Sequence, residues 1–237
     1  MHVVIDIGNT TTKVGYFKDS ELIDKKTVET KDVCYDDLFS THTNAAIIAS
    51  SGKLLTGIDN YMTDKNIPFH VLSYKTKLPI KIDYKTPETL GLDRIAGSVG
   101  ATVLFPNKPS LIIDIGTAVT YDLVVNNCFK GGNISPGLKL RYLSLNEHTE
   151  KLPLVSAVDN QQLYGKSTVE AIENGVFNGL KYEIETTIKH FSEIYSGLNI
   201  IITGGDAHFF VNIIKTAIFV EPNLVLIGLN HILLYNV

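Results

Sequence analysis

Apolar and polar positions follow two patterns along this chain, one typical of strands and the other typical of helices. Val3 to Ile7 is almost entirely apolar and Lys13 to Phe17 alternates, so the two segments predict a β-hairpin. The same order returns where Leu111 to Ile115 is followed by the alternating segment Thr120 to Val125. The pattern therefore predicts a hairpin of buried strands in each half of the chain.

A helix is predicted between the two hairpins. Thr86 can cap its first turn and Pro87 suits the first helical position. The apolar positions that follow have helical spacing: Leu92, Ile95, Val99 and Val103. The segment Phe105 to Pro109, with two prolines, then interrupts the pattern, and we place a domain boundary there.

A longer helix is predicted in the second half, where Ser167 to Glu170 forms a capping box. An apolar stripe follows until Gly197 and consists of Val169, Ile172, Val176, Leu180, Ile184, Ile188 and Phe191. Because strands open each half and helices alternate with strands later, the sequence predicts an α/β fold.

An internal repeat relates the two halves. Ile5-Asp6-Ile7-Gly8 returns as Ile113-Asp114-Ile115-Gly116, and Thr12 returns as Thr120 at the same offset. Folding alone does not require an aspartate at the end of the same strand in both halves, whereas a shared active cleft does. We therefore expect both hairpins to face one site.

A second correspondence is weaker. Ala45 to Gly52 and Asn199 to Gly205 are both buried strands that end in small residues, and chance explains their likeness equally well. Together the two correspondences favour two similar α/β domains, residues 1–106 and 107–237, with a cleft between them.

Composition and charge exclude several classes of partner. The net charge is −4 and no run of Lys or Arg occurs, so nucleic acid is not an expected partner. Hydrophobic residues make up 44% and charged residues 19%, which favours a folded chain throughout. We expect no membrane span and no signal peptide. Cys34 and Cys128 suggest no disulfide framework, so a cytoplasmic protein is predicted.

The segment Asp6 to Lys13 carries the first candidate chemistry. Its glycine lets the backbone approach a ligand, and its amides and Thr hydroxyls can donate to phosphate oxygens. Asp6 suits Mg²⁺ or its waters. An ordinary tight turn is the alternative for one copy, but the second copy, Asp114 to Asp122, favours a phosphate role. Paired aspartates also suggest an aspartic protease, although that class is almost entirely β.

The whole pattern resembles the acetate and sugar kinase, heat-shock protein and actin superfamily, and within it the type III pantothenate kinases. The resemblance spans nearly the whole chain. The motifs that carry it are Asp6-Ile7-Gly8-Asn9-Thr10, Gly91-Leu92-Asp93-Arg94, Asp114-Ile115-Gly116-Thr117-Ala118-Val119-Thr120, Gly131-Gly132-Asn133-Ile134-Ser135-Pro136-Gly137 and Thr203-Gly204-Gly205-Asp206-Ala207. It implies two duplicated RNase H-like (actin-like ATPase) domains, each a mixed β-sheet with flanking helices, around a cleft.

The activity implied by the resemblance is ATP-dependent phosphorylation of pantothenate to 4′-phosphopantothenate, the first step of coenzyme A biosynthesis. Asp93 is the implied base, and Asp114 is the implied ligand of a monovalent cation, K⁺ or NH₄⁺. Mg²⁺ is expected at Asp6. A homodimer with its site at the interface is expected. The implied nucleotide-binding residues are Asp6, Ile7, Gly8, Asn9, Thr10, Thr11, Thr12, Lys13 and Thr117. The implied pantothenate-binding residues are Tyr84, Gly91, Leu92, Asp93, Arg94 and, from a second subunit, Thr168.

The residues around Asp93 give this role an independent argument. Gly97, Gly100 and Ala101 lie one or two turns further along the predicted helix, so we expect an open face that a substrate hydroxyl can approach. A solvated surface pair of Asp93 and Arg94 is the alternative. Likewise, Thr168 either faces an anion at a helix N-terminus or only supports the capping box.

Two other activities remain open from the sequence. One is a nucleotide-binding regulatory protein of the transcription accessory factor type, without turnover. The other is a phosphohydrolase of the same superfamily, which activates water instead of an alcohol. The chain also departs from the family at Ser50-Ser51-Gly52-Lys53, where a Ser-Val-Val-Pro-like segment is common, so we expect the substrate loop to differ in detail from that of the family.

Overall fold

The computed structural model describes residues 1–8, 10–39, 42–50, 57–158 and 162–237. Its strands are β1 His2–Ile7, β2 Thr11–Lys18, β3 Glu21–Glu29, β4 Ala45–Ser50, β5 Phe69–Val71, β6 Lys81–Ile82, β7 Ser110–Ile115, β8 Ala118–Val125, β9 Cys128–Pro136, β10 Asn199–Thr203 and β11 Phe219–Val220. Its α-helices are α1 Ile58–Asp64, α2 Leu92–Leu104, α3 Leu138–Glu147, α4 Thr168–Ile194 and α5 Leu224–Asn236.

The chain divides into two compact units. The first comprises residues 1–107, 124–130 and 223–237, and the second comprises residues 108–123 and 131–222. The start of the second domain at residue 107 stays a prediction. The expectation that the second domain continues to residue 237 is wrong, because α5 packs on α2 in the first unit.

The sheet of the first unit has the strand order β3-β2-β1-β4-β5. Strand β1 pairs antiparallel with β2 and parallel with β4. Val4 contributes to the core beneath α2 and α5, whereas Val3 and Ile5 belong to the opposite core with Ile58 of α1. Both faces of β1 are thus buried, which explains its continuous apolar sequence.

Helix α2 begins later than the sequence predicts. Pro87–Thr89 forms a separate 3-10 turn, and α2 starts at Leu92 with Gly91 before it. The cause is Leu90, which is extended and buried in the core of the first unit, so its backbone leaves the helical path. Thr86 makes no side-chain cap, and Val103 of the predicted stripe is 37% exposed.

The other sheet has the strand order β11-β10-β7-β8-β9-β6. Its first three strands and most of β8 and β9 belong to the second unit, whereas the start of β9 pairs with β6 within the first unit. Strand β10 pairs in parallel with β7, as β4 pairs with β1 in the first unit. Leu111 and Ile113 of β7 pack in one core with α4, whose buried residues include Leu180 and Ile184. In each unit the aspartate-bearing strand therefore lies between the strand that follows it in the chain and a parallel neighbour.

Helix α4 confirms the predicted cap. The Ser167 hydroxyl accepts a hydrogen bond from the Glu170 N–H, while a Glu170 carboxylate oxygen accepts from the Lys166 N–H and not from the cap residue itself. The apolar stripe of α4 is at least partly buried except at Val169, which is 42% exposed.

The helices of both units do not fit an aspartic protease, a class that is almost entirely β. Within the part of the chain that is described, no helix has the length and apolar character to cross a membrane.

Candidate active site

The turn between β1 and β2 is closed by a backbone hydrogen bond from Gly8 N–H to the Thr11 carbonyl at 3.0 Å. A Cβ on Gly8 would lie 2.9 Å from that carbonyl oxygen, so glycine is needed for the close turn. Thr10 and Thr11 are exposed, and Asp6 is half-buried at the end of β1. The predicted ligand Asn9 lies outside the described residues.

Thr12 faces inward, behind this turn. It is fully buried, and its hydroxyl lies 3.1 Å from the hydroxyl of Thr30. Because Thr30 donates its own proton to the Gly8 carbonyl at 2.9 Å, Thr12 is the donor of the pair. The Thr30 N–H also donates to the Thr10 carbonyl at 2.9 Å. Thr12 therefore supports the turn through Thr30, and its hydroxyl is not directed at a ligand.

The turn between β7 and β8 is tighter than the first. Gly116 N–H bonds the Ala118 carbonyl, two residues on, at 3.0 Å. The following strand is thereby shifted by one residue, so Val119 takes the buried position that Thr12 has in β2, while Thr120 is only partly buried. The predicted equivalence of Thr12 and Thr120 is wrong in structural terms. Thr117 is exposed at the tip of this turn.

Two glycine segments pack against the second turn. Gly137 donates its N–H to the Thr117 carbonyl at 3.0 Å, and a Cβ on Gly137 would lie 2.7 Å from the same oxygen. On the other side, Gly204 has φ +99° and approaches Asp114, whose Oδ1 lies 2.6 Å from the position of a Gly204 Cβ. Only glycine allows both this φ and this approach.

Asp93 occupies the first turn of α2 and is half-buried. Its Oδ1 accepts a hydrogen bond from the Arg94 N–H at 2.8 Å and lies 2.5 Å from the position of a Cβ on Gly91. Gly91 and Leu92 line a cavity of about 360 Å³, together with Ser50, Leu72, Ser73, Tyr74, Glu88, Thr89 and Leu90. Asp93 directly follows Leu92 in sequence, and its carboxylate lies next to Gly91 in the cavity wall. Ser51, Gly52 and Lys53 of the departing segment lie outside the described residues.

The predicted open face beside Asp93 is wrong. Gly97, Gly100 and Ala101 are buried, and a Cβ on Gly100 would lie 3.1 Å from a methyl group of Leu224 in α5. The small residues serve the close packing of α5 on α2. Access to Asp93 is therefore expected from the N-terminal end of α2, where the cavity lies, and not along the helix.

Tyr84 and Arg94 meet at one aromatic ring. The Arg94 guanidinium carbon lies 5.6 Å from the centre of the Phe129 ring, and Tyr84 packs edge-on against the same ring at 5.8 Å. Arg94 is only 7% exposed, so the alternative of a solvated Asp93–Arg94 surface pair is wrong. The sequence did not predict Phe129 as a site residue, because an apolar residue in a β-strand pattern does not indicate which side chains it will contact.

Thr168 is exposed at the first position of α4 and lines a cavity of about 590 Å³ with Arg141, Ile172 and Gly175 among others. A further cavity of about 480 Å³ is lined by Tyr142, Phe209 and Asp206 among others. Asp206 directly follows the Thr203–Gly205 segment in sequence. Burial raises the pKa of Asp206 above its ordinary value, although His208 opposes the shift. This cavity is mostly apolar with a few polar groups, as nucleobase and ribose sites are.

Comparison with known proteins decides the family. The family model described as "Type III pantothenate kinase" matches residues 2–190. Relatives named type III pantothenate kinase include one from Cytophaga hutchinsonii, 41% identical over 100% of both chains, and one from Phocaeicola vulgatus, 40% identical over 100% of this chain and 99% of the relative. The chain belongs to the type III pantothenate kinase family.

Solved structures of low sequence identity share the fold of this chain. A Baf-family protein from Campylobacter jejuni has a TM-score of 0.65 at 22% identity and covers 99% of this chain and 98% of its own. The dehydratase activator from Clostridium difficile, solved with ADPNP, has a TM-score of 0.53 at 16% identity and covers 99% of this chain and 93% of its own. These similarities support an actin-like, sugar-kinase-like α/β fold.

The structure places Gly91 and Leu92 in the wall of one cavity, with the Asp93 carboxylate close to Gly91, and it brings Tyr84 and Arg94 together at one ring. Ile7 is 2% exposed and can act only through its backbone. Lys13 is the cross-strand partner of Asp6. Among the described residues, no group of three or more His, Cys, Asp or Glu side chains converges as a metal site. That both hairpins face one nucleotide stays a prediction.

Proposed function

We propose that this chain catalyses the ATP-dependent phosphorylation of pantothenate to 4′-phosphopantothenate, the first step of coenzyme A biosynthesis. The observation that carries the proposal is the match to the type III pantothenate kinase family over residues 2–190, with relatives about as long as this chain. The half-buried Asp93 beside a cavity supports it, because this arrangement suits a base that receives an alcohol.

In the proposed reaction the bond between the γ-phosphorus and the bridging oxygen of ATP breaks, and a bond from the pantothenate hydroxyl oxygen to that phosphorus forms. Asp93 accepts the hydroxyl proton, and ADP leaves. The Arg94 N–H bond to Asp93 Oδ1 holds the carboxylate in place while its other oxygen remains for the substrate. The loose transition state makes this positioning more important than the basicity of the carboxylate.

The two turns are the proposed donors for ATP phosphates. The exposed Thr10 and Thr11 would donate from the first turn, and the exposed Thr117 from the second. The cavity beside Asp206 is the proposed place of the adenine or ribose, because its wall is mostly apolar with a few polar groups. Arg94 is the proposed partner of the pantothenate carboxylate or amide oxygens, with Tyr84 beside it.

Two cations are part of the proposal. Magnesium is ordinarily held by one or two carboxylates together with the phosphates of a nucleotide, and the half-buried Asp6 fits this donor set. The monovalent cation, K⁺ or NH₄⁺, is assigned to Asp114, whose carboxylate borders the Gly204 turn. When bound, the cations would neutralise charge on the phosphates.

A homodimer is also proposed, with Thr168 reaching the pantothenate of the other subunit. Thr168 is exposed, and two large apolar side chains close to it in sequence, Leu163 and Tyr164, are 78% and 68% exposed. Such exposed apolar groups favour coverage by a partner.

We further propose that the similar strand arrangement of the two units reflects duplication. We also propose that the protein acts in the cytoplasm, where free thiols such as Cys34 and Cys128 persist.

The test is ADP formation from ATP with Mg²⁺ and K⁺, measured with and without pantothenate, and mass spectrometry of the product. The proposal predicts ADP formation that requires pantothenate and yields one 4′-phosphopantothenate for each ADP. ADP release without an acceptor would indicate a phosphohydrolase. Nucleotide binding without ADP release would indicate a regulatory protein.

A further inference from the structure

One half-buried ion pair in the second unit has no role in the proposed chemistry. Arg141, in the first turn of α3, donates from its Nη2 to Glu183 of α4. Their side chains are 21% and 30% exposed. Glu183 also accepts hydrogen bonds from the Tyr121 hydroxyl at 2.7 Å and from the Ser135 hydroxyl at 3.1 Å. A surface pair seldom has so many partners, so this network has a defined geometry.

The network holds the end of β9. The Arg141 Nε donates to the Pro136 carbonyl at 2.8 Å, and its Nη2 donates to the Ser135 hydroxyl at 2.9 Å. Ser135 and Pro136 are therefore fixed by Arg141 from one side, and Ser135 is fixed by Glu183 as well. The residue that follows is Gly137, whose position is thus determined by the same network.

Gly137 connects this network to the second turn. Its N–H donates to the Thr117 carbonyl at 3.0 Å, and a Cβ at this position would overlap the carbonyl oxygens of Gly116 and Thr117. Backbone packing this close leaves the turn little freedom to move independently of Gly137. A displacement of Ser135 and Pro136 would accordingly move Thr117.

We infer that Arg141 and Glu183 are positioning residues for the nucleotide, acting through Ser135, Pro136 and Gly137 on the turn that carries Thr117. Burial raises the pKa of Glu183, but the hydrogen bonds from Arg141, Tyr121 and Ser135 outweigh it and lower the pKa below its ordinary value. The carboxylate is therefore charged at neutral pH. The inference rests on the proposed ATP-binding role of Thr117.

The experiment measures binding of a non-hydrolysable ATP analogue with Mg²⁺ by calorimetry, well below the melting temperature. Glu183→Gln removes the charge and leaves Arg141 without its counter-ion, and we expect the Kd to rise about tenfold. Glu183→Asp should recover part of the affinity. Glu193→Gln is the matched control, because Glu193 lies in the same helix and forms an exposed pair with Lys189 at 4.0 Å. The control should bind as the wild type does.

A second readout separates positioning from general stability. In the kinase assay, Glu183→Gln should raise the KM for ATP about tenfold, and it should raise the KM for pantothenate by a smaller factor, because Arg141 also lines the Thr168 cavity. Should this variant fail to fold, Ser135→Ala removes one contact to each charged group and should raise the Kd for the analogue about threefold. An unchanged Kd in the folded variants would overturn the inference.

The same data distinguish the two levels of the account. If the wild type phosphorylates pantothenate while Glu183→Gln binds the analogue normally, the positioning role is wrong and the proposed function stands. If the wild type binds the analogue in a Glu183-dependent manner without phosphorylating pantothenate, the proposed function is wrong and the positioning role stands.

Discussion

Gly228 of α5 lies directly against the backbone of Ala96 in α2. A Cβ at residue 228 would overlap the Ala96 carbonyl oxygen and lie 2.8 Å from the Gly100 nitrogen. This contact fixes the distance between the last helix of the chain and the helix that carries Asp93. It also explains why the C-terminal helix belongs to the first unit.

The first prediction concerns this contact. Gly228→Ala should lower the free energy of unfolding by about 1–3 kcal/mol, because neither backbone can yield to the added methyl group without separating the helices. Gly175→Ala is the control: it lies within α4 with no atom near the added Cβ, and it should stabilise the protein by about 0.5–1 kcal/mol. Urea denaturation checks both values, and equal stability of the two variants would contradict the packing argument.

The second prediction concerns Thr30, which supports the first turn through Gly8 and Thr10. Thr30→Val keeps the shape but removes the hydroxyl, so the Gly8 carbonyl and the buried Thr12 hydroxyl lose their partner. We expect the KM for ATP to rise about fivefold to tenfold. Thr30→Ser keeps the hydroxyl and should stay close to wild type. Steady-state kinetics with varied ATP check this, and equal effects of the two substitutions would exclude the hydroxyl as the cause.

The third prediction concerns the pH dependence of stability at Glu183. Hydrogen bonds from Arg141, Tyr121 and Ser135 lower the folded-state pKa of Glu183 against the effect of burial. Its contribution to the free energy of unfolding is therefore complete above its ordinary pKa of 4.5. The contribution is lost as the pH falls through the lower folded-state pKa. At neutral pH the free energy of unfolding of the wild type should exceed that of Glu183→Gln by about 1–3 kcal/mol. The difference should shrink below about pH 4.

Thermal unfolding at several pH values tests the third prediction. Glu193→Gln serves as the control, since its pair with Lys189 is exposed and should contribute little at any pH. A wild-type advantage over Glu183→Gln that is constant from neutral to acidic pH would show that the charge of Glu183 is not responsible.

The hairpins and α4 could be predicted because their signals are local. Apolar strands on either side of a glycine-containing turn mark β1 and β2, and the cap at Ser167 is made by a residue three positions away. The start of α2 could not be placed, because Leu90 leaves the helix to enter a core formed by distant residues. The position of α5 depends in the same way on Gly100 and Gly228, which are far apart in sequence.

The candidate site shows the same division between local and distant determinants. Motifs identify Gly8, Asp93 and Thr117, whereas Thr30 and Phe129 contribute contacts that no motif contains. Gly97, Gly100 and Ala101 suggested an open face because small residues look alike in sequence whether a substrate or another helix lies against them. Only the packing of α5 distinguishes the two cases.

The most direct measurement of the central claim is the turnover of Asp93→Asn with saturating ATP and pantothenate. The amide keeps the size of the side chain and the acceptor for the Arg94 N–H, but it cannot take the hydroxyl proton. We predict that kcat falls by about 10²–10⁴ while binding of an ATP analogue stays near the wild-type value. Asp64→Asn, at an exposed position in α1, is the control and should keep full activity. A kcat for Asp93→Asn within about twofold of the wild type would contradict the account.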